Sequence, residues 1–413
     1  MKRVVITGMG VVTSLGTDVD TLWNNLLAKK HGFSAIEGFD TSDFDVKYAA
    51  EIKNWDPEVM GIPKKDARRM DLFTQFACVA ANQAIADASG FADDLDPFRI
   101  GVIMGSGIGG FRSIETEHTK YLEKGPNRVS VFFIPMMISN MAGGRIAIDH
   151  GFKGENFCPV SACASSNHAV GEAFRKIKHG YLDACVAGGA EAAITEFSLG
   201  GFNNMGALSK STDPDRLSIP FDAERGGFVM GEGSAVLILE EYEHAKKRGA
   251  KIYAEIVGYG ATDDAFHITS PDASGMGSAK SMEFACNEAG ITPAQVDYLN
   301  AHGTSTELND QCETMAVKIT FGEAAAKLAI SSTKSMTGHL LGAAGALESI
   351  ICAKALQEGI LPPTAGYQKP DPECDLDYIT EGPRKKDALY ALSNSLGFGG
   401  HNATLAFKKY TGE

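Results

Sequence analysis

Short apolar runs alternate along the chain with longer stretches whose apolar positions recur every three or four residues. Val4-Val5-Ile6, residues 100–104, Cys185-Val186-Ala187 and residues 234–239 are of the first kind. They read as buried strands, and the first three run into glycine-rich turns. Residues 164–179 are of the second kind. Val170, Ala173, Phe174 and Ile177 fall on one helical face, and Gly180 supplies a C-terminal cap. Strands alternating with helices predict an α/β chain with mostly parallel sheets.

The pattern restarts near residue 250. A strand over 234–239 leads to a polar helix over 240–248 that ends at Gly249. Residues 252–258, followed by Tyr259-Gly260, then echo the opening from Val4 to Gly10. The chain is therefore expected to consist of two similar halves, 1–250 and 251–413, carrying a faint internal duplication. No low-complexity linker separates them, so they are expected to pack together and to share a site.

Charge narrows the partners. With 38 basic and 52 acidic side chains the net charge is −14. A general nucleic-acid or anionic-membrane binder is excluded, because phosphate would be repelled. An acidic partner would need a local basic patch. No apolar run approaches the roughly 20 residues that cross a bilayer. The eight cysteines are scattered without paired metal-ligand spacing, which predicts reduced thiols in a cytoplasmic protein. Gly105-Ser106-Gly107-Ile108-Gly109-Gly110 matches a dinucleotide fingerprint. It lacks the acidic residue expected about 20 positions later, so it reads as a tight turn lining a cavity. No cofactor and no transition-metal site is expected.

Three segments carry candidate chemistry. Val160-Ser161-Ala162-Cys163-Ala164-Ser165 places a thiol where a short apolar stretch meets a helix N-terminus, whose partial positive charge favours thiolate. Cys163 is thus a nucleophile or a buried structural cysteine. Asn300-Ala301-His302-Gly303-Thr304-Ser305-Thr306 and Lys334-Ser335-Met336-Thr337-Gly338-His339 each place a histidine beyond a strand, among small residues. Gly397-Phe398-Gly399-Gly400 sits in a hairpin between residues 389–392 and 404–407. One aromatic among glycines reads as a movable plug or a plain turn anchor.

Taken in this order and at these spacings, Ala162-Cys163-Ala164-Ser165, the His302 and His339 segments and Gly397-Phe398-Gly399-Gly400 resemble the β-ketoacyl-acyl-carrier-protein synthases over essentially the whole chain. The resemblance implies the thiolase-like five-layered αβαβα fold of two similar halves, assembled as a homodimer. It implies decarboxylative condensation of malonyl-carrier protein with an acyl chain held on Cys163. His302 and His339 would stabilise the enolate, and Cys163 and Phe398 backbone N–H groups would face the oxyanion. Lys334 would organise the charges, paired with Glu313. Thr304 and Thr306 would hold the pantetheine arm. Ile108 would line the acyl pocket, as in type II members of the family. Asn300, Glu348, Ser393 and Asn394 fall where some members hold a monovalent cation.

The segment Pro63-Lys64-Lys65-Asp66-Ala67-Arg68-Arg69 clusters four cations, Lys64, Lys65, Arg68 and Arg69. It is a solvated helix face or, as the resemblance suggests, the dock for an acidic carrier protein. Two residues depart from the family pattern. Glu307 stands where some members have proline, and His401 where others have threonine. Within the same fold the alternatives are a type I or polyketide ketosynthase. Outside enzymes the alternative is a silent chain-length subunit, against which Cys163 argues.

Overall fold

The computed structural model describes residues 1–412. Ten strands join one mixed sheet: β1 (Val4–Thr13), β2 (Ile100–Gly105), β3 (Asn156–Phe157), β4 (Ala184–Glu191), β5 (Gly233–Glu241), β6 (Ala254–Asp263), β7 (Tyr298–Asn300), β8 (Ala329–Ser331), β9 (Tyr390–Gly397) and β10 (His401–Lys409). Their spatial order is β8-β7-β9-β10-β6-β1-β5-β4-β2-β3. Counted within each set of five, the order is the same: third, second, fourth, fifth, first. The sets meet where Val4–Ile6 of β1 pairs antiparallel with residues 254–256 of β6.

Four helices complete the layers. Helix α1 (Leu72–Asp87) covers the outer face of β1 and β5. Helices α2 (Ser165–Lys178) and α4 (Ala344–Glu358) pack on each other and on strands of both sets, forming the middle layer. Helix α3 (Met276–Ala289) covers β6 and β10. The expected five layers of two similar halves are therefore present. Helix α4 is buried on every side from Ala344 to Leu356, as a helix packed between the two five-strand sets must be.

The duplication is visible in the glycines. A Cβ at Gly8 would lie 2.2 Å from the Ala84 carbonyl oxygen, and one at Gly10 would lie 2.0 Å from that of Ala80. In β6, a Cβ at Gly258 would lie 2.1 Å from the Ala285 oxygen, and one at Gly260 would lie 1.9 Å from that of Ser281. Both first strands thus bring backbone against backbone of an outer helix, and only glycine permits it. These glycines lie inside strands and do not form the turns expected from sequence. Gly188 and Gly189 likewise lie inside β4. Nor is the sheet mostly parallel: β2 pairs parallel with β3 and β4, and β7 with β8 and β9, while the joins of β1, β5, β6 and β10 are antiparallel. The β9–β10 hairpin imposes that reversal in the second half.

The loops that leave the carboxyl ends of β2, β7, β8 and β9 gather on one side, together with the N-terminus of α2. Ligand sites form at such ends in open α/β sheets. Among the described residues no helix is long and apolar enough to cross a membrane, and all eight cysteines are free thiols.

Candidate active site

Cys163 sits in a single 3-10 turn, Ala162–Ala164, that feeds α2. Ala162 adopts φ +49°, a left-handed backbone rarely taken by a residue with a side chain. Ser165 locks the turn. Its hydroxyl donates to the Ala162 carbonyl at 2.7 Å and accepts from the Ser161 N–H at 2.9 Å. Gly397 packs over this turn, where a Cβ would lie 3.3 Å from the Cys163 nitrogen.

Cys163, His302 and His339 open onto one cavity of about 710 Å³, which Ile108, Thr304, Thr306 and Phe398 also line. Residues remote in sequence are thereby brought together. The two imidazole centroids are 5.2 Å apart with rings at 84°, and Phe228 stacks edge-on against His339 at 5.2 Å. Burial, reinforced by the Lys334 ammonium, holds both histidines well below their ordinary range. Both are therefore neutral at physiological pH and can donate an N–H without carrying charge.

The thiol behaves differently from the sequence expectation. Burial pushes Cys163 up to about 12, and the nearby Lys334 offsets only part of that rise. Desolvation outweighs the positive helix end, so the resting group is a thiol.

Two further expectations are corrected. Lys334 does not pair with Glu313; its ammonium meets Glu348 on α4. Glu313 does not line the cavity either. It lies on the helix Glu307–Phe321, and its carboxylate accepts from the His302 and Gly303 N–H groups at 2.8 Å each and from the Asn394 amide at 3.2 Å. Its place is to hold the loop that carries His302.

Behind the histidines, Asn300 Oδ1, Glu348 Oε2 and Ser393 Oγ are buried and lack hydrogen-bond partners among the described residues. Asn300 and Ser393 are register neighbours on β7 and β9. One carboxylate and two neutral oxygens are hard oxygen donors of the kind that hold cations. The Asn394 side chain is already engaged by Glu313 and Thr404.

The glycine-rich turn after β2 shows why it is no nucleotide cradle. The N–H groups of Gly107 and Ile108 already point at the Glu191 carboxylate, at 2.8 and 3.2 Å. Sequence reasoning missed Glu191. Its only signal is a lone acid closing a strand of small residues. Phe398 lies beside Gly399 and Gly400, at φ +92° and +87°. Its loop is fastened to a neighbour by Gly399 N–H to Ile268 O and Asp264 N–H to Gly400 O, both 2.8 Å. His401 lines the cavity, with Nδ1 3.6 Å from Asp263.

Lys64, Lys65, Arg68 and Arg69 are all exposed, around the short helix Lys64–Ala67. Lys64 is 3.8 Å from Glu58, and the Arg69 guanidinium stands 4.8 Å over the Phe132 ring. None of the four lines the cavity.

Comparison with known proteins places the chain among condensing enzymes. Residues 1–245 match the beta-ketoacyl synthase N-terminal domain and residues 253–368 the C-terminal domain. The 3-oxoacyl-[acyl-carrier-protein] synthase 2 of Staphylococcus aureus (strain N315) is 51% identical over 409 residues, 99% of each chain. A beta-ketoacyl synthase from Burkholderia phymatum superposes with TM-score 0.92 at 38% identity, over 99% of this chain and 100% of that one. A type II polyketide ketosynthase, solved with its acyl-carrier protein and a hexaketide, superposes with TM-score 0.92 at 35% identity over 99% of both chains.

Proposed function

The chain belongs to the β-ketoacyl synthase family, and from that premise we propose that it lengthens acyl chains in fatty acid synthesis as a 3-oxoacyl-acyl-carrier-protein synthase. The observation that carries this reading is the convergence of Cys163, His302 and His339 on one cavity. The Cys163 sulfur attacks the carbonyl of an acyl-carrier thioester. A new carbon–sulfur bond forms, the old one breaks, and the thiol proton passes to the departing pantetheine sulfur, so no permanent base is needed. Malonyl-carrier protein then loses carbon dioxide. The enolate charge is received by N–H groups of the neutral His302 and His339 imidazoles. Its carbon attacks the acyl-Cys163 carbonyl, with the oxyanion held by the Cys163 and Phe398 N–H groups. The tetrahedral intermediate collapses to a 3-oxoacyl-carrier two carbons longer and expels the Cys163 thiolate, which takes up a proton from water to regenerate the thiol. Lys334 and Glu348 set the field around the histidines, and Thr304 and Thr306 hold the pantetheine arm. Asn300, Glu348 and Ser393 would hold a monovalent cation, which would offset buried negative charge.

The partner in this reading is an acyl carrier protein, met by Lys64, Lys65, Arg68 and Arg69, and the protein works in the cytoplasm. It acts as a homodimer. The β8 edge is covered, since Ile330 N–H donates to Asp377 O. Among the described residues no strand pairs with the outer edge of β3, and Val131 and Ile134 of the same half are exposed. An open edge suits pairing with a second copy. Identity of 51% to the Staphylococcus aureus enzyme against 35% to the polyketide ketosynthase favours fatty acid elongation.

Incubation with a series of acyl-carrier proteins plus malonyl-carrier protein, read by mass, tests the reading. Products two carbons longer are expected. Their absence across the whole series would overturn it.

A further inference from the structure

Ile108, Leu341 and Cys163 meet in one apolar cluster and all line the cavity. They come from three separate segments, and the Ile108 and Leu341 segments are tied to one buried carboxylate. Glu191 closes β4 and is 0% exposed. Its Oε1 accepts from the Ser106 hydroxyl at 3.0 Å and from the Ile108 N–H at 3.2 Å. Its Oε2 accepts from the N–H groups of Gly107 at 2.8 Å and Gly342 at 3.0 Å. Ser106 in turn accepts from the Gly109 N–H at 3.0 Å, which directs its own proton to Glu191. All four partners are therefore donors, and only an ionised carboxylate satisfies them together.

The approach is close on every side. A Cβ at Gly107 would lie 2.9 Å from Glu191 Oε2, and one at Gly342 would lie 2.7 Å from it. Leu341, next to Gly342, is held at φ +47°. Such a backbone persists only where its surroundings over-determine it. Burying a carboxylate is a costly way to join a strand to a loop. What these four bonds fix is the position of the Ile108 wall relative to the Leu341 wall, in the cavity that also holds the nucleophile.

We propose that Glu191 is a positioning residue that sets the acyl chain-length selectivity of the pocket, by fixing the gap between the Ile108 and Leu341 walls. The inference rests on the acyl-transfer reading given above. One methylene in an apolar pocket shifts selectivity roughly 10- to 200-fold, so a small change in that gap is measurable.

Two variants test it. Glu191→Gln keeps the shape but turns one acceptor oxygen into a donor, so one of the two oxygen-centred pairs of bonds is lost. Ser106→Ala removes one of the four bonds to the carboxylate, together with the acceptor of the Gly109 N–H, and leaves the charge. Acyl transfer to Cys163 is measured with carrier-bound donors of about six to about sixteen carbons. Decarboxylation of malonyl-carrier protein by alkylated enzyme is measured in parallel. For Glu191→Gln the ratio of kcat/KM for the longest donor to the shortest is expected to move about tenfold toward the longest, with decarboxylation kept within about threefold. Ser106→Ala should move the ratio the same way by less, and it decides the matter if Glu191→Gln does not fold. An unchanged ratio in folded variants, or an equal loss on every donor and on decarboxylation, would overturn the role. If the unmodified protein transfers no acyl group of any length, the acyl-transfer reading itself fails and takes this inference with it.

Discussion

At Cys163 two physical effects oppose each other, and their balance has a kinetic signature. The helix end and Lys334 favour thiolate, while burial favours thiol and prevails, at about 12. For an acid raised in this way the thiolate fraction stays small at neutral pH and grows with each unit of pH. Alkylation by iodoacetamide should therefore climb roughly tenfold per pH unit from pH 7 to pH 9 with no plateau. A plateau above neutral pH would mean that the helix end wins. Cys163→Ala should abolish condensation while leaving the melting temperature within a few degrees. Retained elongation by that variant would remove the mechanism. His302 and His339 lie well below their ordinary range, so decarboxylation should show no inflection near the usual imidazole value of about 6.5. These three residues are legible in the sequence because small residues surround each one in a loop or turn that follows a strand. The buried Glu191 is not. It looks like any carboxylate closing a strand, and what distinguishes it is the set of donors that folding brings from distant segments. Glu348 enters only through the family resemblance, as a cation ligand, and its pairing with Lys334 is visible only in the fold. The same blindness pairs Lys334 with Glu313, although Glu313 is taken up by the His302 loop.

Among elements, the first strand of each half shows where the hydrophobic pattern misleads. Apolar runs ending in glycines suggest strands meeting turns, yet β1 and β6 continue through Gly8, Gly10, Gly258 and Gly260. The pattern reports burial and cannot see a helix lying against the backbone. The echo between the halves is nevertheless legible, because both copies need glycine for the same close approach. At Gly260 a Cβ would lie 1.9 Å from the Ser281 carbonyl oxygen, so Gly260→Ala must push α3 off the sheet. The expected cost is about 3 kcal/mol, the upper part of the range for overpacking. Gly180 follows the end of α2 at φ +81°, and an added methyl there would have nothing within 4 Å, so Gly180→Ala meets only backbone strain of about 1 kcal/mol. Urea unfolding of the two variants compares these costs directly. Equal losses would mean that the glycine pattern of β6 is not set by contact with α3.

Over the whole molecule, net charge and local charge point in opposite directions. A chain of charge −14 repels an acidic partner at long range, while Lys64, Lys65, Arg68 and Arg69 present four exposed cations within six residues. Lys65 and Arg68 suit a test, because Lys64 lies near Glu58 and Arg69 is spread over Phe132. Exposed cations contribute little to folding, so reversing Lys65 and Arg68 to glutamate should leave the fold intact. Docking is another matter, because complementary charge acts chiefly on encounter and register. In the double variant KM for acyl-carrier protein should rise about tenfold, while turnover of a small acyl thioester without a carrier stays within about twofold. Salt gives a second readout. At physiological ionic strength charges are screened beyond roughly 8 Å, so added salt should weaken carrier use by the unmodified protein and matter far less to the variant. Equal losses on carrier and on the small thioester would assign these residues to folding. Unchanged KM would leave the cluster as a solvated face and move the dock to another surface.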